Sequence, residues 1–327
     1  MGLHLRGQGI ELGPGHSPFA PLPPDATVRY VDRWQPEENA ALFAELGDAS
    51  QFPVPDVVAN LDTDRLGAFA DGSEDFVICS HVLEHMADPI GLLCDVHRVL
   101  RPGGTVLILL PDRHRTFDRA REPTPLAHLV ADHAAGVTEV DDAHVEEFLT
   151  NAYEDPAVRH HIPNDAEERR ALFAHHRQRS IHAHCWDQDE FVPVLAYGIA
   201  QLDHCWELLD GVMTPEAGPG GIEFGFVLRR SPEALPAAAR LARFDAQWLA
   251  WKRARMLWLH VDVARPPLTG LEVQLASEVE SLNAQLAAAR AAQAELAALR
   301  RTKTFRYTAR LRTGFALLRA GLARRRP

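Results

Sequence analysis

The sequence predicts an α/β fold, with a doubly wound, mostly parallel, seven-stranded sheet, on three observations. Short apolar segments alternate with helical ones over the first third of the chain. The first apolar segment runs into a glycine turn, Gly13-Pro14-Gly15. Polar residues that can carry chemistry (Asp32, Asp62, His81 and Asp112) then stand at the ends of successive strands, where open parallel sheets bind their ligands.

The expected strands lie near 8–12, 27–31, 56–61, 74–80 and 104–110. Two more are expected at Leu202–Leu209 and Gly221–Arg230, joined through the Pro- and Gly-containing stretch Asp210–Gly220. A helix is expected to end within Val96-His97-Arg98-Val99-Leu100-Arg101-Pro102-Gly103-Gly104, of which Arg101-Pro102-Gly103-Gly104 reads as a turn. Residues 113–180 break the alternation with a polar, histidine-rich insertion, helical at Ala143–Asn151 and Ala166–Gln178. His182 and His184 alternate on an expected strand, and Gln188–Ala200 reads as helix.

After residue 231 the composition turns to Ala, Leu and Arg, which predicts a helical linker over 232–267, broken at Pro266-Pro267. From 268 to 300, Leu275, Leu282, Ala289 and Leu296 repeat at one core position. Val279, Leu286 and Gln293 repeat at the other, the pattern of a coiled coil that pairs copies of the chain. Residues 301–327 form a basic amphipathic tail, with Leu311, Phe315, Leu318 and Leu322 on one stripe among arginines. That pattern suits an anionic membrane surface.

Charge separates the tail from the body. The net charge is −11, yet residues 300–327 carry ten basic and no acidic side chains, leaving about −21 on residues 1–299. An acidic body argues against a nucleic-acid partner. Neither a signal-peptide order nor an apolar run of membrane-spanning length is present, so the expectation is a cytoplasmic protein, peripheral on the inner membrane through its tail. The four cysteines show no C-x-x-C spacing and read as reduced thiols.

A glycine turn lets main-chain N–H groups approach a ligand closely, and an acid at the next strand tip accepts from ribose hydroxyls. Gly13, Gly15 and Asp32 therefore predict a nucleoside cofactor. A dinucleotide loop would need G-x-G-x-x-G, and Pro18 stands at its third glycine position, which disfavours a nicotinamide oxidoreductase.

The order Glu11-Leu12-Gly13-Pro14-Gly15, Ser80-His81-Val82-Leu83-Glu84-His85, Arg101-Pro102-Gly103-Gly104 and Pro111-Asp112 resembles the class I S-adenosylmethionine-dependent methyltransferases. It resembles in particular a bacterial subgroup of surface-polysaccharide biosynthesis, in which a "PDKRxxFD"-like segment follows the fifth strand. Here that segment is Pro111-Asp112-Arg113-His114-Arg115-Thr116-Phe117-Asp118. The resemblance implies a Rossmann-like sheet closed by two antiparallel strands, with S-adenosyl-L-methionine held by Glu11, Gly13, Pro14, Gly15, Asp32, Asp62, Thr63, Ser80 and His81. It also implies a glycan or lipid-linked sugar acceptor. A sugar hydroxyl needs a general base, and the candidates are His81, His85, Asp112 and Asp118. No metal is expected. A non-catalytic methyltransferase-fold scaffold, or a chain-length-control module at the membrane, is the alternative.

Overall fold

The computed structural model describes residues 1–153, 161–217 and 221–261. Contacts divide the chain into a compact unit, Met1–Ala254, and a second unit, Arg255–Pro327. The expected coiled coil (268–300) and basic tail (301–327) lie outside the described residues. Within the expected linker, the described part is a helix, α7 (Ala237–Val261).

The seven strands are β1 (Gly7–Leu12), β2 (Ala26–Asp32), β3 (Val57–Val58), β4 (Glu74–Ser80), β5 (Leu100–Pro111), β6 (Trp206–Val212) and β7 (Glu223–Arg230). They lie in the order β3-β2-β1-β4-β5-β7-β6. The pairs among β1 to β5 are parallel, with Ile10 opposite Val77 and Cys79 opposite Ile108. β7 runs antiparallel to both β5 and β6, with Ile108 opposite Phe226. The chain winds outward from β1 to β3, then returns to the other side of β1 as β4. The cleft at this reversal is where such sheets bind ligands. This is the Rossmann-like methyltransferase topology.

Period-two alternation sorts the strand residues onto two faces. Ile10, Leu12, Val77, Cys79, Ile108, Phe226 and Leu228 face one core. It is packed by α2 (Pro89–Val99), α6 (Gln188–Gln201) and α7 through Leu92, Val96, Phe191, Leu195, Phe244 and Trp248. Each such fully buried side chain contributes about 1.5–3 kcal/mol. Asp88 caps α2 by accepting from the Gly91 N–H at 2.8 Å, with Pro89 at the first helical position. Asp187 and Glu190 form a capping box on α6.

The second face differs from the helix-covered sheet predicted. Phe76, Ile78, Leu107, Leu109 and Val227 pack against Leu5, Met1, Phe19 and Leu22. Pro14, Pro18, Pro21, Pro23 and Pro24 crowd the β1–β2 connection, and each removes an N–H and fixes φ, so this segment crosses the face without forming a helix.

Three local readings are corrected. Arg101–Gly104 is not a turn but the start of β5, with a bulge opposite Glu74–Phe76 and Gly103 at φ 87°. The third strand shrinks to two residues, because Pro55 precedes it and the Asn60–Asp64 turn follows, where the Asn60 N–H donates to Asp64 Oδ2 at 2.9 Å. His182 and His184 lie on extended chain outside the sheet, of which Trp186 alone makes a bridge, to Asp112.

The insertion carries α3 (Leu126–Ala135), α4 (Asp142–Asn151) and α5 (Ala166–Arg179). It has its own apolar cluster, including Val145, Phe148, Leu149, Phe173 and Ile181. Beside that cluster, buried Arg121 donates to Asp118 at 2.7 Å and Glu147 at 2.6 Å.

Candidate functional site

The site is built on the strand ends at the reversal. β1 ends at Leu12, and Gly13 and Gly15 then take φ 55° and 51°, the left-handed region where glycine is unstrained. A Cβ on Gly15 would meet nothing within 4 Å, so the main chain there lies open to a cavity. Glu11 lies beneath the turn, 1 % exposed. Its Oε1 accepts from the Phe19 N–H at 2.8 Å, and its Oε2 has no hydrogen-bond partner among the described residues. Burial pushes its carboxyl up to about 7, opposed by the Phe19 N–H. Glu11 thus ties the proline-rich connection down, and it does not line the cavity. Nor do Pro14, buried beside it, or Ser80 at the end of β4.

Asp32, the last residue of β2, turns its carboxylate into the cavity. The Trp34 N–H donates to Oδ1 at 3.3 Å, and burial holds the carboxyl above its usual range. Asp62 follows β3, with Oδ1 accepting from the Ala87 N–H at 2.8 Å, and lines the same space. Thr63 instead borders a smaller neighbouring hollow of about 200 Å³.

The cavity has a volume of about 370 Å³. Gly13, Gly15, Asp32 and Asp62 lie on one side of it, with Phe43 and Phe52 as apolar walls. His81, His85 and Met86 come from the segment after β4, and Gln178–Ser180 from the end of α5. Arg179 reaches across to pair with Glu45, and its guanidinium stands over the Phe43 ring. The insertion therefore closes the pocket opposite the sheet.

The acid–base groups form one chain of contacts. His81, at φ 54°, places Nε2 2.8 Å from Glu223 Oε2 and Nδ1 3.5 Å from Glu84 Oε1. Burial opposes the imidazolium, but the two carboxylates outweigh it and raise its pKa to about 10. His81 is a cation at neutral pH and not a free base. His85 differs: its Nδ1 donates to the Ile181 carbonyl at 2.7 Å, and burial holds it below the ordinary histidine range. Its Nε2 stays unprotonated, 3.7 Å from Glu84 Oε1.

The other two candidate bases are placed elsewhere. Asp112 Oδ1 accepts from the His114 N–H at 2.9 Å and Oδ2 from the Thr214 hydroxyl at 2.6 Å. Asp118 is fully buried between Arg121 and His182, 2.6 Å from His182 Nδ1. Neither lines the cavity.

Sequence reasoning missed Glu84, Glu223, Asn60 and the Gln178–Ser180 roof. Glu84 had a signal, an acid embedded in the apolar Val82-Leu83-Glu84-His85-Met86 stretch three residues after His81. The others had none, since they meet the site only through the tertiary fold.

A methyltransferase domain model matches residues 11–108, the stretch that carries the glycine turn, Asp32, Asp62, His81 and His85. No curated protein matches the chain. Solved structures are similar to the chain only distantly. A carbon methyltransferase, CurJ, is 13 % identical over 69 % of this chain and 49 % of its own, with TM-score 0.35. A methyltransferase of Thermotoga maritima, described as a possible histamine N-methyltransferase, is 13 % identical over 69 % of this chain and 83 % of its own, with TM-score 0.36. A 1,6-didemethyltoxoflavin N1-methyltransferase of Burkholderia thailandensis, solved with S-adenosylhomocysteine, is 13 % identical over 70 % of this chain and 73 % of its own, with TM-score 0.35. The chain spans about half the length of the first of these.

The domain and its strand order are those of an S-adenosylmethionine-dependent methyltransferase. The chain therefore carries a methyltransferase domain, and S-adenosylmethionine is its cofactor. No helix among the described residues is long and apolar enough to cross a membrane.

Proposed function

We propose that the enzyme methylates a hydroxyl of a sugar, in a bacterial cell-surface glycan or lipid-linked oligosaccharide, with His85 as general base. The observation that carries the base assignment is the tautomer of His85. The Ile181 carbonyl fixes Nδ1–H, so the Nε2 lone pair is available in the cavity. The sugar acceptor is supported by the sequence likeness at Pro111–Asp118, and a hydroxyl is the acceptor that makes use of such a base.

The cavity fits the cofactor. Asp32 is a half-buried carboxylate with a long hydrogen bond from the Trp34 N–H, so ribose hydroxyls would supply further donors that offset its burial. Gly13 and Gly15 leave the main chain bare for the methionine part, and the Asn60–Asp62 segment would border the adenine. When bound, S-adenosylmethionine supplies an electrophilic methyl group on a sulfonium. His85 Nε2 takes the acceptor's hydroxyl proton. Burial opposes the Glu84 carboxylate, but the His81 cation beside it outweighs this and keeps it ionised, where it stabilises the imidazolium that forms on His85. Gln178–Ser180 and Phe43 exclude water from this exchange.

In the same reading, residues 268–300 pair copies of the chain, and residues 301–327 hold them at an anionic membrane. Truncation at residue 265 should then give a monomer in light scattering, and loss of 301–327 should abolish liposome binding.

The test of the acceptor is incubation of the full chain with methyl-tritiated S-adenosylmethionine and bacterial envelope extract. Label in a saccharide fraction, stable to mild base as an ether is, supports the reading. Label confined to protein or to amines contradicts it.

A further inference from the structure

Three imidazoles converge outside the cavity, where α3, α4 and the extended segment Ile181–Trp186 meet. The rings of His128, His144 and His184 stand 4.9–5.7 Å apart, centroid to centroid. One nitrogen from each lies within 4.8 Å of the others. His128 Nε2 is 2.8 Å from His144 Nε2 and 3.1 Å from Asp132 Oδ2, one helical turn further along α3. His184 is fully buried, and neither of its ring nitrogens makes a hydrogen bond among the described residues.

We infer that His128, His144 and His184 form a binding site for a divalent transition metal of the zinc type. A tetrahedral ion with bonds of about 2.0–2.1 Å sets its ligand atoms about 3.3 Å apart, between the shortest and the longest separations here. Imidazole is a donor that suits zinc.

The tautomers favour the ion. Asp141 Oδ1 lies 2.8 Å from His144 Nδ1, which fixes the proton there and leaves Nε2 as a lone pair pointing at the cluster. A carboxylate behind a histidine ligand is the usual support of such an ion. Both ring nitrogens of His184 are buried without a hydrogen bond among the described residues, so one is available to a metal at the cluster. A neutral imidazole binds a metal and an imidazolium does not. An unpaired buried histidine otherwise costs stability, and the ion would remove that cost.

The three histidines stand away from the cofactor cavity, so the ion is structural. It fastens the insertion to Ile181–Trp186. That segment presents the Ile181 carbonyl to His85 and His182 to Asp118. The proposal does not depend on which acceptor is methylated.

The experiment is metal titration of the full chain after dialysis against EDTA, with Zn²⁺ in competition with a chromophoric chelator and with Co²⁺ read by its visible absorption. One ion per chain is expected, with intense tetrahedral Co²⁺ bands and a melting temperature that falls with EDTA and recovers with Zn²⁺. His144→Ala and His128→Gln should each weaken binding about 100-fold or more, and Asp141→Asn about 10-fold. His128 is 41 % exposed, so His128→Gln keeps the test valid if His144→Ala does not fold. A natively folded chain that binds no stoichiometric metal overturns the proposal. So does an affinity unchanged in His128→Gln.

Discussion

His81, just past the end of β4, and Glu223 at the start of β7 form an ion pair, Nε2 to Oε2 at 2.8 Å, that joins the parallel half of the sheet to its antiparallel edge. The pair fixes the charge of a histidine that sequence alone offers as a base. Its pKa is raised to about 10, above that of an unfolded histidine near 6.5. The stabilisation is therefore complete below about pH 6.5 and is lost as pH rises through about 10. Glu223→Gln should bring that loss to lower pH. Melting temperatures of the two proteins between pH 6 and 10.5 check this, and parallel curves would contradict it.

Glu11 depends on pH in the same direction, the reverse of a carboxylate whose pKa is lowered by a partner. Burial raises its folded pKa to about 7 against an unfolded value near 4.5. Its favourable contribution is full below about pH 4.5 and is lost as pH climbs through about 7. Glu11→Gln keeps an acceptor for the Phe19 N–H and removes the charge. The variant should be the more stable above pH 7, by an amount of the order of 3 kcal/mol. Chemical unfolding at pH 5.5 and pH 8 measures the difference.

His85 and Asp118 should separate catalysis from stability. His85→Ala should lower kcat about 100- to 10,000-fold, with donor affinity changed little. The wild-type rate should be flat above the ordinary histidine pKa and fall on the acid side as Nε2 gains a proton. Stopped turnover with labelled donor across pH 5–9 reads both.

Asp118→Ala should do the reverse. Removing it leaves Arg121, 2 % exposed, with Glu147 as its remaining carboxylate partner. The loss should be about 3 kcal/mol or more, seen as a lower urea midpoint. A well-folded but inactive Asp118→Ala would place the base there instead.

The sheet was legible because strand alternation and turn residues are local signals. Gly13, Gly15, Asp32, Asp62, His81 and His85 also meet at one cavity, as their places at strand ends predicted. What was not legible depends on long-range contacts. Glu223 meets His81 only when β7 inserts beside β5, and Arg179 reaches the pocket only because the insertion folds over it. The connection between β1 and β2 was misjudged although its five prolines were in view, since the fold class suggests a helix there. His128 and His144 lie on two different helices of the insertion, and nothing local points from either to His184.

The most direct test is calorimetric titration of S-adenosylhomocysteine into the wild-type protein and Asp32→Asn. One site per chain is expected, weakened about 10- to 150-fold by the substitution, the worth of a hydrogen bond to a charged group. The unliganded variant should melt no lower at pH 7, because burial already disfavours the Asp32 charge. Equal affinity in the two proteins, or no heat with the wild type, would contradict the placement of the donor at the end of β2.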